Sequence, residues 1–422
     1  MTEQLTNWAG TITFQARRLH RPSSVEELQE LVAQSERVRA LGTGHSFNPI
    51  ADSPGDLVSL AGLPRTVEID RERGRVTIDA GIRYGDLAVE LEAAGYALPN
   101  LASLPHISVV GACATGTHGS GERNGNLATS VAAVEMVTAD GELVTLSRDS
   151  GDERFNGAVV SLGALGIVTK LTLDVVPTFQ IRQYVYENLP RPALEKHWDE
   201  IFGSAYSVSL FTDWRGTDIN QVWLKQRVDA ADATPPPAQW LGAVLADGPR
   251  HPIPGMPVEN CTEQMGVAGP WHVRLPHFRL EFTPSNGEEM QSEYMVPRHL
   301  ALEALEAISQ IRDQIAPLLQ ICEIRAIAAD ELWMSPNYQR DTVAFHFTWV
   351  KDPAAVTKVV AALEERLAPL AARPHWGKVF TTSPEQIQQL YARWSDFRDL
   401  MNSYDPAGKF RNALLERYFP AS

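Results

Sequence analysis

Cysteine is scarce in this sequence and cations are outnumbered. Three cysteines in 422 residues, Cys113, Cys261 and Cys322, stand far apart and odd in number, which argues against a disulfide framework or a thiolate metal cage and leaves three structural thiols. Lysine and arginine total 37 against 52 aspartate and glutamate, a net charge of −15. So acidic a surface repels phosphate backbones and anionic headgroups, and no nucleic-acid or membrane partner is expected. No stretch reaches the roughly 18 uninterrupted apolar residues of a transmembrane helix, and the opening MTEQLTNWAGTITFQARRLH lacks the apolar core of a secretory signal. The expected location is the cytoplasm. Also missing are a P-loop signature and HExxH, and the histidines at 45, 106, 118, 272, 277, 346 and 375 lack zinc-ligand spacing with cysteine. Nucleotide hydrolysis and metal catalysis lose support, and no metal is expected.

What is present is an ordinary globular composition, 44% hydrophobic and 21% charged, at a length that needs more than one core. Ser23 and Ser24 each stand three residues before a glutamate, Glu26 and Glu27, a doubled capping box that predicts a helix over VEELQELVAQS. The runs LVSL, TVEID, RVTID and GIVTKLTLDV read as strands, YGDLAVELEAAG as a helix stopped by Gly95, and VAAVEMVTADGELVTLS as a hairpin turning at Asp140-Gly141. Near Pro177 the pattern changes. From about 179 to 380 come aromatic-rich strands, a proline-rich connection from Ala233 to Pro257, and amphipathic helices near 298–319 and 353–372. SPEQIQQLYARWSDFRDLMNSYDP then reads as one helix ending at Asp405-Pro406.

Two stretches could carry chemistry. The segment from Gly111 to Gly125 intersperses glycines with small hydroxyl residues, so backbone N–H groups could approach an anion closely, although a turn cluster fits the same composition. Its Gly119-x-Gly121 is followed by Asn124 where a dinucleotide fingerprint needs glycine, which weakens a Rossmann reading. The second stretch is a pair of strands. In CEIRAI, Glu323 and Arg325 share one face; in VAFHFTWV, His346 and Thr348 share one face while Phe345, Phe347 and Trp349 take the other. Adjacent in one sheet, such strands form a polar floor able to pair the hydroxyls of a polyol; a solvated face with a surface ion pair is the alternative.

The turn Gly42-Thr43-Gly44-His45-Ser46-Phe47 resembles the histidyl-FAD motif of the vanillyl-alcohol oxidase superfamily. The resemblance continues through Ala102-Ser103-Leu104-Pro105-His106-Ile107-Ser108, Ala114-Thr115-Gly116-Thr117-His118-Gly119-Ser120-Gly121 and Asp405-Pro406-Ala407-Gly408-Lys409-Phe410-Arg411-Asn412, and within the superfamily it points to the aldonolactone and alditol oxidases. It implies an α+β fold: a two-subdomain FAD-binding domain, residues 1–178, under an α+β substrate (cap) domain, 179–380, with 381–422 returning to the first. It further implies FAD joined covalently through His45. Gly42 to Phe47, Ser103, Ser108, Gly111, Ala112, Cys113, Ala114, Gly116, Thr117, His118 and Ile167 are the residues it places at the cofactor. Ser103, Gln291, Glu323, Arg325, His346, Thr348 and Lys378 are those it places at the substrate, with Lys378, Arg325, His346 and Glu323 as the catalytic set. The implied reaction oxidises the primary alcohol of an alditol with dioxygen as acceptor. A neutral imidazole suits the flavin linkage, and His346, at an ordinary value of ~6.5, suits proton acceptance. Partners beyond alditol and dioxygen are not expected, and the chain is expected to be a monomer. An aldonolactone dehydrogenase and a flavin-free sugar-binding protein are the competing readings.

Overall fold

The computed structural model describes residues 5–229, 235–282 and 288–420. Ser24 accepts a hydrogen bond from the Glu27 N–H at 3.2 Å and so starts helix α1, Val25–Gln34, as the capping pattern predicts. Leu28 and Val32 of α1 share a buried cluster with Val38 and Val58. Those residues belong to a small parallel sheet of β1 (Arg18–His20), β2 (Val38–Ala40) and β3 (Asp56–Val58), with β3 central.

A five-stranded antiparallel sheet follows. It contains β4 (Val67–Asp70), β5 (Arg75–Asp79), β6 (Val131–Val137), β7 (Leu143–Ser147) and β8 (Ile167–Asp174), in the order β4-β5-β8-β6-β7. The β6–β7 hairpin turns at the expected place, with Gly141 at φ +87° and the Thr138 N–H donating to Glu142 O at 2.9 Å. Helix α2, Tyr84–Ala93, is followed by Gly95 at φ +84°, the left-handed stop that its sequence predicts. Helix α3, Val109–Ala114, overlaps the start of the glycine-rich segment.

The second large element is a ten-stranded antiparallel sheet. Its long strands are β9 (Gln180–Leu189), β10 (Ser207–Thr212), β11 (Ile219–Arg227), β12 (Glu289–Pro297), β13 (Leu319–Ile327) and β14 (Thr342–Val350), in the order β9-β11-β10-β13-β14-β12. One face is apolar: Val208, Leu210, Val222, Leu224, Phe345, Phe347 and Trp349 pack against α4 (Ala301–Ser309) and α5 (Pro353–Leu367). Alternation sends Glu323, Arg325, His346 and Gln291 to the other face, toward the glycine loops. Residues 233 and 234, where the proline-rich connection was expected to begin, lie outside the described residues; beyond them it forms the short edge strands Gln239–Trp240 and Ala243–Leu245.

Two expected helices are shorter than their periodicity indicates. The one near 298–319 becomes α4 and a separate turn, Arg312–Ile315, because Ile311 (φ −115°, ψ 15°) leaves helical geometry and buries its side chain. The run from 384 to 404 divides into α6, Pro384–Leu390, and α7, Trp394–Tyr404. At the break Tyr391 is extended, its ring 5.3 Å from Trp376 and 4.8 Å beneath the Arg373 guanidinium, so burying one aromatic outweighs helix continuity. Helix α8, Ala413–Tyr418, joins α7 in the core beneath the five-stranded sheet.

The segment from Asp405 to Asn412 clamps the start of the chain. Asp405 accepts the N–H groups of Lys409 (2.6 Å) and Phe410 (2.8 Å), and Asn412 Nδ2 donates to the carbonyls of Pro49, Ile50 and Asp52 at 2.9–3.0 Å. Arg39, buried, donates to Phe410 O and Leu162 O. Among the described residues no helix is long and apolar enough to cross a membrane.

Candidate active site

Between the glycine loops and the polar face of the large sheet lies a cavity of about 500 Å³, within the usual range for cofactor and ligand sites. One wall is the turn after β2. A Cβ on Gly42 would collide with Ser108 Oγ, while the Ser108 N–H donates to Thr43 Oγ1 at 3.1 Å, so a side chain at 42 would turn the Ser108 hydroxyl away from the junction of the two loops. Gly44, at φ +70°, uses a left-handed conformation to turn His45 into the cavity wall.

His45 is the unusual residue of this wall. Both of its ring nitrogens are buried without a hydrogen-bond partner, a costly arrangement that a bound group taking one of them would relieve. Burial, helped by the neighbouring His106, pushes its pKa down to about 4, so the ring is neutral and holds a free lone pair. A glycine cradle that a Cβ would fill and an orphaned imidazole together fit a flavin and its diphosphate.

Most of the residues expected at the cofactor do line the cavity: Gly42 to Phe47, Ser103, Ser108, Gly111, Ala112, Ala114, Thr117 and His118. Three do not. Cys113 points into the core, its Sγ 3.5 Å from the Tyr84 hydroxyl. Gly116 turns at φ +68° against the Pro336 ring. Ile167 belongs to the cluster beneath α1, while its neighbours Gly166 and Val168 reach the cavity; strand alternation explains the miss. The later glycines have another use. Gly121 N–H donates to Ala326 O at 3.0 Å, and an added Cβ there would meet Tyr206 O at 2.5 Å, so Gly119 to Asn124 fastens the glycine-rich segment to the ten-stranded sheet.

The opposite wall is the polar floor. Pairing of β13, β14 and β12 sets Glu323, His346 and Glu293 in one row, with Thr348 opposite Ile321 and Gln291 in the next. Glu293 is the hub: it meets Arg325 at 2.7 Å, Lys378 at 2.7 Å and His118 at 3.1 Å. Glu323 meets His277 at 2.7 Å, Arg325 at 3.6 Å and His346 at 3.8 Å. Arg325 also donates to Ser103 Oγ at 3.4 Å, and His346 Nε2 lies 3.1 Å from Gln291 Oε1.

Charge balance decides the protonation states. Burial alone would raise both carboxylates, but Lys378, His118 and Arg325 outweigh it at Glu293, and Arg325 and His277 at Glu323, so both are held well below the ordinary range. For Arg325 the order reverses: burial opposes the cation and the two glutamates outweigh it. Lys378 is lowered by burial against the pull of Glu293. Burial, with Lys378 adding, brings His346 down to about 4, which corrects the expectation of an imidazole titrating near neutrality. Sequence reasoning also missed Glu293, although alternation from Gln291 puts it on the same face. It missed His277 and His375, which enter the cavity from loops.

Residues 16–147 match an FAD binding domain and residues 284–418 match D-arabinono-1,4-lactone oxidase. Cholesterol oxidase from B. sterolicum shares the fold at a TM-score of 0.79 and 15% identity, covering 99% of this chain and 96% of that one. Fold and site together define an FAD-binding oxidoreductase of the vanillyl-alcohol oxidase superfamily. L-gulono-1,4-lactone dehydrogenase of Mycobacterium tuberculosis is 28% identical over 98% of each chain. Alditol oxidase of a Streptomyces species is 52% identical over 98% of this chain and 99% of its own. The chain belongs to the alditol oxidase family.

Proposed function

We propose that this enzyme oxidises the terminal primary hydroxyl of alditols such as xylitol and sorbitol to the aldose, reducing dioxygen to hydrogen peroxide, with FAD joined covalently to His45. Residues 1–178 and 381–422 hold the cofactor and 179–380 cover it. The observation that carries the reading is the floor of buried Glu293, Glu323 and Arg325 with half-buried His346 and Lys378 facing an imidazole with two idle nitrogens. Held between these walls by the glycine loops and His45, a flavin would supply the two-electron acceptor for the hydride of the carbinol carbon, with dioxygen as the final oxidant.

The side chains divide the remaining work. Arg325 and Lys378 face the alcohol oxygen and favour its alkoxide character as hydride leaves. His346 receives the hydroxyl proton at Nδ1, since Nε2 is engaged with Gln291, and Glu323 Oε2 at 3.8 Å balances the resulting charge. Gln291, Ser103, Thr348 and Glu323 pair the secondary hydroxyls. Each of those hydroxyls is both donor and acceptor, so a site of these mixed types leaves none unpaired.

The test begins by denaturing pure protein in acid: yellow fluorescence is expected to stay with the polypeptide, and a colourless pellet sinks the covalent assignment. Xylitol added under nitrogen should bleach the holoenzyme, and air should restore the colour with stoichiometric peroxide. Faster turnover of a galactonolactone with a dye acceptor would instead identify an aldonolactone dehydrogenase.

A further inference from the structure

Behind the floor, one more cation is buried outside the cavity wall. Lys225 on β11 is 1% exposed, and its Nζ donates to the carbonyls of Leu275 and Pro276 and to His277 Nδ1 at 3.0 Å. Those three contacts use all three donors of an ammonium. With Nδ1 accepting, the ring proton of His277 resides on Nε2, which donates to Glu323 Oε1 at 2.7 Å. Phe211 and Trp223 stand edge-on to the imidazole at 5.6 and 5.1 Å, and the His277 N–H is tied to Ser103 O at 3.1 Å. Every link therefore has a fixed direction, from Lys225 through His277 to one oxygen of Glu323.

We infer that Lys225 and His277 are positioning residues: Lys225 fixes His277 as its Nε2–H tautomer, and His277 locks the Glu323 carboxylate so that Oε2 is presented to a secondary hydroxyl of the alditol. The inference rests on the reading above that Glu323 binds substrate. What the lock prevents is visible beside it. Arg325 Nε is buried without a hydrogen-bond partner, 3.6 Å from Glu323 Oε1. Released from His277, the carboxylate would close on that guanidinium and withdraw an acceptor from the substrate.

The relay has a built-in dependence on pH. Around Lys225 stand His277, Glu323, Arg325 and Cys261; burial lowers the amine to about 7, Glu323 opposing and Arg325 assisting, while the Cys261 thiol, pushed up to about 12, stays neutral. The ammonium is present below that value and lost as pH rises through it. A neutral amine keeps two donors for those three acceptors and can also accept from Nδ1–H, so the Nε2–H tautomer is no longer imposed on His277.

The experiment is steady-state kinetics of the holoenzyme with xylitol from pH 5 to 9, for the wild type, Lys225→Met, His277→Leu, His277→Gln and Glu323→Gln. For the wild type, KM is expected to rise above about pH 7 with kcat changing far less. Lys225→Met should flatten that limb. His277→Leu should raise KM by roughly 10- to 100-fold, the scale of one hydrogen bond to a charged group, and His277→Gln, whose amide still donates, should restore most of it. If Glu323→Gln raises KM while Lys225→Met and His277→Leu stay within about twofold of wild type, the relay is overturned and the substrate role of Glu323 stands. If Glu323→Gln leaves KM unchanged, that role itself fails and the relay with it. Should the variants not fold, the wild-type profile decides, since a KM flat from pH 6 to 9 overturns the relay.

Discussion

The indole of Trp8 lies over the imidazole of His45, ring centroids 5.2 Å apart and planes 19° from parallel. The N-terminal segment that carries it is stapled to the same turn, Trp8 N–H donating to Gly44 O at 2.8 Å and Asn7 Nδ2 to Ser46 O at 3.0 Å. No side chain holds either nitrogen of His45, so stacking, beside the weak pull of the Thr43 backbone, orients the ring. On the proposed His45 linkage, Trp8→Ala is expected to slow covalent flavin attachment by roughly two- to tenfold, the equivalent of about 0.5–1.5 kcal/mol of stacking, and Trp8→Phe to restore it. In-gel flavin fluorescence during reconstitution of apoprotein gives the rate; equal rates for the three proteins would refute the role.

Glu293 offers a stability test with a definite sign. Replacing it by Gln strands Arg325 and Lys378 in the interior and is expected to cost about 3–5 kcal/mol. Its folded pKa lies below the ordinary 4.5, so its contribution is complete above 4.5 and is lost as pH falls through the lower folded value. Calorimetry from pH 7 to 3 should show the gap in Tm between wild type and variant narrowing below about pH 4.5. A gap of constant width contradicts the assignment.

Lys378→Met isolates the chemical step. Anaerobic bleaching by xylitol should slow by about 10²- to 10³-fold, the usual cost of one electrostatic donor at developing charge, with the flavin still attached. Stopped-flow absorbance at the flavin band measures it, and an unaltered rate removes Lys378 from the mechanism.

His346 makes a prediction about what the acid side of the pH profile lacks. Protonated only below about 4, the imidazole proposed as proton acceptor stays neutral throughout the mildly acidic range. The acid limb of kcat/KM for xylitol is expected near 4, with no inflection at the ordinary imidazole value of ~6.5. An inflection at 6.5 that disappears in His346→Ala would reverse that conclusion.

Local rules made much of this legible. Ser24, Gly95 and the Asp140-Gly141 turn act within a few residues of themselves, and alternation put Glu323 with Arg325 and His346 with Thr348 because a strand has only two faces. Failure came where distant pieces meet. Nothing near Tyr391 announces that its ring will lie under Arg373 and divide a helix, and nothing links Lys225 to His277 and then to Glu323 before β10, β11 and β13 assemble. Glu293 was within reach of the same alternation that placed Gln291. The glycine segment misleads in a different manner, since Gly119 and Gly121 relieve contacts with Leu101 and Tyr206, a packing need that looks in sequence like a cofactor cradle.

Asn412 ties together carbonyls at 49–52, beside Ile50 and Ala51 of the cavity wall, from 360 residues or more further along the chain. During synthesis that wall waits, unsupported, until Asn412 has been made and folds back on it, so pigment capture is expected only after both large sheets have been made. A message cut short before that asparagine would yield chains whose strands still pair but which stay colourless.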